Sequence, residues 1–249
     1  MIELQHVSKT FNKGRATEVN ALNDINLLVK KGEYLVIVGA NGSGKSTLLN
    51  IIAGNIKVSA GEIKIEGEDV HNYADYQRSK WIARVFQNPL SGTASGLSII
   101  DNFRLSAIRT QGKNLTIGVN ASFTKQVKEK IATLEMGLED KLNQQMGTLS
   151  GGQRQALTLL MSVMDDCRIL LLDEPTAALD PRSANIVMQT ADKLVKDFGL
   201  TAVLITHNLK DAYTYGNRVI QMADGKIIRD VAGENKLTLS QAELFEWFS

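Results

Sequence analysis

Several things are scarce in this 249-residue chain. Surplus charge is one: 28 Lys+Arg face 27 Asp+Glu, a formal net charge of +1. No electrostatic footprint therefore marks nucleic acid as the main partner. Cysteine is another. Cys167 stands alone, so no intrachain disulfide can form. It lies just before an apolar strand and reads as a small core or near-core residue, not a reactive thiol. Long apolar runs are missing too. Stretches such as Ile169 to Leu172 fall far short of the ~20 residues that span a bilayer. Met1-Ile2-Glu3-Leu4 lacks the charged-then-apolar order of a signal peptide. A cytosolic location is the expectation. Internal repeats and low-complexity tracts are absent as well. The length suits one large domain, or one domain with a subdomain.

What is present centres on Gly39-Ala40-Asn41-Gly42-Ser43-Gly44-Lys45-Ser46, followed by Thr47. The stretch fits G-x-x-x-x-G-K-[ST], a phosphate loop. Tyr34 to Val38 runs into it as a short, apolar, β-branched strand. Leu48, Leu49, Ile51 and Ile52 follow with helical spacing. A Gly/Ser-rich turn with a solvated lysine is the plainer alternative, but both flanks fit the phosphate loop. Glycines let the backbone close around phosphate oxygens, and successive N–H groups meet the negative charge. Lys45 then reaches the β- and γ-phosphates, and the Ser46 hydroxyl ligates Mg²⁺.

Along the chain, Ile2 to Val7 alternates as a half-buried strand does. Lys9 to Thr17 is polar, with Phe11 alone in it. Val19 and then Ala21 to Val29 resume a strand pattern. Ser59-Ala60-Gly61 reads as a turn before the strand Glu62 to Gly67, and Val85-Phe86-Gln87 as a short strand. Ser98 to Ile108 looks helical, and Thr110 to Ser122 reads as a polar surface excursion. Ser122 can cap a helix whose apolar face is Val127, Ile131, Leu134 and Leu138. Residues 88–150 thus form a helical insert within an α/β frame of 1–87 and 151–249, all in one domain. Asp180 caps a helix that starts with Pro181. Asp224-Gly225 suits a hairpin turn, and Ser240-x-x-Glu243 a capping box. In the tail, Leu244, Phe245, Trp247 and Phe248 are expected to pack on their own domain.

Three further features narrow the function. An apolar strand ends in Asp173-Glu174. An acid there can hold Mg²⁺ beside a phosphate loop, and its neighbour can orient and deprotonate a water. Without the loop, a pair of strand-capping carboxylates would be the simpler account. Leu149-Ser150-Gly151-Gly152-Gln153 opens a helix from Arg154 to Met164, with glycine N–H groups and a hydroxyl suited to an anion; an ordinary helix start has the same look. Gln87 and His207 each follow a strand. In a parallel sheet the C-terminal strand ends face the ligand crevice.

In this order, these motifs resemble the ATP-binding subunit of an ABC transporter over nearly the whole chain. The resemblance implies a P-loop NTPase core of ABC ATPase type, with an N-terminal antiparallel β subdomain and a helical insert. It implies ATP and Mg²⁺ as cofactors. Phe11 would stack on adenine with Val19 beside it. Ser46, Asp173 and Gln87 would serve the metal, Glu174 would be the general base, and His207 would touch the γ-phosphate. Gln87 would also link the site to the insert, and Asp180 would belong to a loop communicating across a dimer. Two copies would pack head to tail, each ATP lying between one phosphate loop and Ser150 to Gln153 of the other copy. A groove near Gln87 to Gly96 would receive a membrane permease subunit on the inner face of the membrane, with a capture protein acting indirectly. Phe11 replaces the commoner tyrosine, and Ala177 stands where many relatives carry serine.

The expected function is a transport motor, import favoured over export. The alternative is a soluble assembly ATPase, such as one of iron–sulfur cluster biogenesis, which would share every site residue. DNA-maintenance relatives need coiled-coil arms between the motifs, and no sustained heptads run from Ser46 to Leu149. A nucleotide sensor without turnover is disfavoured by Glu174.

Overall fold

The computed structural model describes residues 1–110 and 118–248. Its elements run β1 (Ile2–Phe11), β2 (Val19–Val29), β3 (Tyr34–Val38), α1 (Lys45–Ala53), β4 (Ala60–Ile65), β5 (Glu68–Asp69), α2 (Asp75–Arg78) and β6 (Ile82–Val85). Then come α3 (Ile99–Ala107), α4 (Ala121–Ala132), α5 (Gly151–Ser162), β7 (Ile169–Asp173), α6 (Pro181–Phe198) and β8 (Thr201–Ile205). The chain closes with α7 (Leu209–Thr214), β9 (Arg218–Ala223), β10 (Lys226–Ala232), α8 (Glu234–Thr238) and α9 (Gln241–Phe245).

Two sheets carry the fold. An antiparallel one has the order β2-β1-β4-β5; the other is six-stranded, β10-β9-β3-β8-β7-β6, and parallel from β9 to β6. The central strands β3 and β8 are buried throughout. Alternate residues go to opposite cores. Leu35, Ile37, Ile169, Leu171, Val203 and Ile205 join α1 and the antiparallel sheet. Val36, Val38, Leu170, Leu172, Ala202 and Leu204 join the helical side with Phe103, Val127, Leu157 and Val187. Two-sided burial explains why these strands read as unbroken apolar runs. It also sets the phosphate loop and Asp173-Glu174 at the same edge, the C-terminal ends of parallel strands.

Several local expectations hold. Asp180 accepts from the Arg182 and Ser183 N–H groups at the head of α6. Asp224 and Gly225 take the left-handed conformation, φ 47° and 72°, as a tight hairpin requires. Ser240 and Glu243 form the capping box. Leu244 and Trp247 are buried, whereas Phe245 is exposed; the Phe248 side chain lies outside the described residues. Cys167 is partly buried against the helical core, which pushes its thiol pKa up.

Others are corrected. β1 continues to Phe11, because its polar end still pairs with β2. Gly61 lies inside β4, not in a turn; its φ of 91° brings it against the His6 carbonyl at a register shift of the β1–β4 ladder. β6 stops at Val85. Asn120, not Ser122, caps α4, accepting from Phe123 N at 2.9 Å. That helix ends at Ala132. Glu135 and Gly137 turn at positive φ, so Leu134 and Leu138 are buried from a loop. The helix after Leu149 begins at Gly151 and ends at Ser162, because Ser150 is its cap. Most of the expected excursion from Thr110, residues 111–117, lies outside the described residues.

Candidate functional site: a phosphate-loop cleft

The cleft begins with the geometry of its loop. Gly39 has φ 140°, and a Cβ there would lie 2.1 Å from the Met222 carbonyl oxygen. Gly44, at φ 100°, precedes α1, and a Cβ would lie 2.5 Å from the Ala21 carbonyl oxygen. Neither position tolerates another residue without moving backbone. Together they aim the N-terminus of α1 into a cleft of about 610 Å³. Asn41, Gly42, Gly44, Lys45, Ser46 and Thr47 form its floor.

Lys45 is almost fully buried, and its Nζ donates to the Gly39 and Ala40 carbonyls at 2.8 and 2.9 Å. Burial pulls its pKa down, and the nearby Glu174 carboxylate acts in the opposite direction. Ser43 is buried with an unpartnered hydroxyl. Phe11 and Val19 sit on one wall of the cleft, brought together as a register pair at the open end of β1 and β2. Val19 is 56% exposed, so an apolar edge faces solvent there. Lys9 Nζ lies 4.9 Å from the Phe11 ring centroid. Asn20, Asn23 and Asp224 add to this wall; the sequence marks Asp224 as a hairpin residue only, and marks the two asparagines not at all.

Glu174 and His207 line the opposite wall. The His207 Nε2 lies 2.7 Å from one Glu174 carboxylate oxygen, and the Gln87 amide donates to the other at 3.0 Å. Three strand ends thus converge on one carboxylate. Glu174 takes φ 46°, a strained conformation for a non-glycine residue, fixed by its N–H donating to Ile205. Held from both sides, its oxygens face a cleft that also contains Lys45. A carboxylate so held can accept a proton from a water beside a phosphate site.

Asp173 does not line the cleft. Its Oδ2 accepts from the Arg84 guanidinium at 2.6 Å. Arg84 also donates to Asn50 and Asn55, at 2.7 and 2.9 Å. Asn50 in turn donates to the Ser46 carbonyl at 2.7 Å. Sequence patterns did not single out Arg84. The available signal was a charge inside the apolar strand Ile82-Ala83-Arg84-Val85. Gln155 was missed too: fully buried, it donates to the carbonyls of Phe86 and Pro175, next to Gln87 and Glu174.

Among the described residues, no group of three or more His, Cys, Asp or Glu side chains is arranged to hold a metal ion. The oxygen donors the sequence assigned to a metal are the Ser46 hydroxyl, on the cleft floor, and the Asp173 carboxylate and Gln87 amide, which do not line the cleft. A few hard oxygen donors beside a phosphate site suit Mg²⁺, which keeps several waters and shares phosphate oxygens. Gln87 turns its amide nitrogen to Glu174, so its oxygen is the atom left for a cation.

Ser150 to Gln153 stand apart from the cleft. Ser150 Oγ accepts from Gln153 N while the Gln153 side chain accepts from Ser150 N, a closed capping box. Ser150 is exposed, and Gly152 is pressed against Ser183 of α6. Asp180 is exposed beside it. Its carboxyl pKa is held low chiefly by hydrogen bonds from Ser183.

A parallel sheet, a glycine loop ahead of a helix and an acid at the adjoining strand end define a P-loop nucleotide-binding ATPase. The comparisons with known proteins narrow this. A model of the family "ABC transporter" matches residues 22–177. The tyrosine transport ATP-binding protein of Clostridioides difficile (strain R20291) is 36% identical, over 100% of this chain and 98% of that protein. The methionine import ATP-binding protein MetN 1 of Staphylococcus aureus (strain USA300) is 31% identical, over 97% of this chain and 70% of that one. Among solved structures, the dimeric ATP-binding cassette MJ0796 in a post-hydrolysis state, bound to ADP and Pi, superposes with a TM-score of 0.80. Its identity is 31%, over 93% of this chain and 98% of that one. The chain belongs to the ABC transporter family as an ATP-binding ATPase subunit.

Proposed function

We propose that this chain is the motor of an ABC importer, hydrolysing MgATP between two head-to-tail copies of itself. The observation that carries the catalytic part is Glu174, held by Gln87 and His207 above the phosphate loop. ATP lies with its phosphates on the N–H groups of Gly42 to Thr47 and on Lys45, and its base over Phe11 and Val19. Glu174 accepts a proton from water as the water oxygen attacks the γ-phosphorus, and ADP leaves with the bridging oxygen. His207 steadies Glu174 and the departing phosphate. Mg²⁺, when bound, supplies charge neutralisation on the phosphate oxygens; Ser46 and Asp173 would hold it, with Gln87 contributing its amide oxygen.

Ser150 to Gln153 lie outside the cleft of their own chain, which supports their serving a second copy. The solved relative described as dimeric supports the same reading. For the permease, the support is a pair of clefts, about 430 and about 290 Å³, both lined by Arg84 and Phe86. Ser91, Gly92 and Ala94 line the larger together with Phe86, the residue before Gln87. No helix of the described chain is long and apolar enough to cross a membrane. A separate membrane subunit seated there would hold this chain at the inner membrane face. The import direction follows the relative named for methionine import.

One pair of variants tests the reading. Glu174→Gln should bind ATP, hydrolyse it at least about 100-fold more slowly, and elute as a dimer in ATP, because the base is lost and the phosphate contacts remain. Ser150→Arg should bind ATP as a monomer and neither dimerise nor turn over. Normal turnover by Glu174→Gln assigns the base elsewhere. A dimeric, active Ser150→Arg overturns the composite site.

A further inference from the structure

Arg84 is a charged residue beside the site that the proposed mechanism does not use. Its surroundings are specific. The side chain is 11% exposed and its partner Asp173 13%. One guanidinium nitrogen donates to Asp173 Oδ2; the other reaches Asn50 and Asn55. The guanidinium carbon lies 4.6 Å from the Phe86 ring centroid. Asn50 and Asn55 flank the C-terminal end of α1, the helix that the phosphate loop feeds. Asn50 closes the circuit by donating to the Ser46 carbonyl.

One planar side chain therefore ties β6 to the end of β7 and to α1. The two residues it joins, Ser46 through Asn50 and Asp173 directly, are those read above as the Mg²⁺ side of the site. A cation this close to a metal-binding acid should oppose a second cation by Coulomb repulsion. A chain that needed only metal affinity would carry an apolar residue here, as Ala83 and Val85 do on either side. The fork geometry explains the choice. Arginine can hold a carboxylate and an amide oxygen at a fixed separation, which lysine cannot.

We propose that Arg84 is a positioning residue for Mg²⁺: it holds Asp173 in register with Ser46, so that the two would be aligned to hold the metal. The inference rests on the reading of Ser46 and Asp173 as the metal side of the site. Outer partners of this kind set metal affinity by roughly 10–100-fold in other proteins. The gain from alignment is expected to outweigh the charge repulsion, because the guanidinium is already engaged by Asp173 and two amide oxygens.

The test is a Mg²⁺ titration of the binding of a fluorescent, non-hydrolysable ATP analogue, which needs no turnover. Arg84→Met should raise the half-saturating Mg²⁺ concentration about tenfold or more. In saturating Mg²⁺ its ATPase KM should stay within about twofold while kcat falls. Arg84→Lys keeps the charge and loses the fork, so it should shift the titration nearly as far. If Arg84→Met does not fold, Arg84→Lys and Asn50→Leu carry the test, and Asn50→Leu should move the midpoint the same way. An unchanged midpoint in all three overturns the proposal. A tighter one in Arg84→Met also overturns it, since that is the mark of bare repulsion. Asp173→Asn separates the two readings. If it leaves the Mg²⁺ dependence intact, the metal site is misassigned; if it abolishes the dependence while the Arg84 variants do not shift it, only the positioning role fails.

Discussion

Replacing Gln155 by methionine should destabilise this protein through two carbonyls next to the site. The side chain is fully buried on α5. Its amide donates to the Phe86 carbonyl at 2.8 Å and to the Pro175 carbonyl at 3.0 Å. Methionine has similar length and no donor. Two largely buried carbonyls would lose their partner, at about 1–3 kcal/mol each. A small credit comes from removing the Gln155 oxygen, which is buried without a partner. With that credit taken at about 1 kcal/mol, the net cost is about 1–5 kcal/mol, a fall in Tm on the order of 2–20 °C for a chain of this size. Calorimetric melting measures it directly. kcat should fall further than stability alone implies at temperatures where the variant is folded, because the two carbonyls sit one residue from Gln87 and Glu174. Gln155→Glu sharpens the test. Its carboxylate would face two carbonyls, so the folded state would hold it protonated. Its folded pKa would lie above the unfolded value, and stability should be lost as pH rises through that raised pKa. A Gln155→Met melt within about 1 °C of wild type would refute the role of this amide as the tie between the Gln87 and Glu174 loops.

Two other changes probe the charges. Lys45→Ala should weaken ATP binding by about 10–100-fold, the worth of a charge-assisted phosphate contact, as read by calorimetric titration; wild-type affinity would remove Lys45 from the site. Lys236 is buried with its Nζ on the Tyr215 and Gly216 carbonyls, and burial lowers its pKa from 10.5 to about 8. Between those values the unfolded chain binds the extra proton. Wild-type stability should therefore rise from pH 8 to 10.5, and Lys236→Met should lose that particular rise in urea denaturation.

What could be read from the sequence follows from how locally each feature is built. The phosphate loop, the Asp173-Glu174 strand end, the Asp180 cap and the Asp224-Gly225 hairpin each depend on adjacent residues, and each folds as its pattern predicts. Cap chemistry alone did not separate Asn120 from Ser122, since both can accept an N–H; the two positions differ only in where the chain enters the helical side. Leu134 and Leu138 keep a helical interval, yet the turn at Glu135 and Gly137 buries them from a loop. The larger omissions are long-range. Arg84 and Asp173 are 89 residues apart, and Gln155 spans 69 residues to Phe86. No local period encodes such pairs. The one warning in each case is a polar side chain where burial is expected. Phe11 and Val19 are intermediate: both could be named from the sequence, but only the β1–β2 register makes them one wall.

Three of the site's charges, Lys45, Asp173 and Glu174, share one property that bears on how tightly nucleotide can bind. None of these three waits in isolation for a ligand. Lys45 already donates to Gly39 and Ala40, Asp173 already pairs with Arg84, and Glu174 is already held by Gln87 and His207. Phosphate must therefore replace two carbonyls on Lys45, so the affinity it gains is a difference between two sets of good contacts. The arrangement lowers ground-state binding and leaves the groups aligned without further ordering cost. Preformed alignment favours interactions that strengthen as charge develops on the transferring phosphoryl group. Weakening a self-contact should then act opposite to weakening a ligand contact. Gly39 and Ala40 offer backbone oxygens that no side-chain substitution removes, so the accessible case is His207. His207→Ala frees one Glu174 oxygen. It should change ATP KM by less than about threefold while lowering kcat by at least about tenfold, measured by steady-state hydrolysis. A large KM effect with kcat preserved would mean that His207 binds the ground state instead of aligning the base.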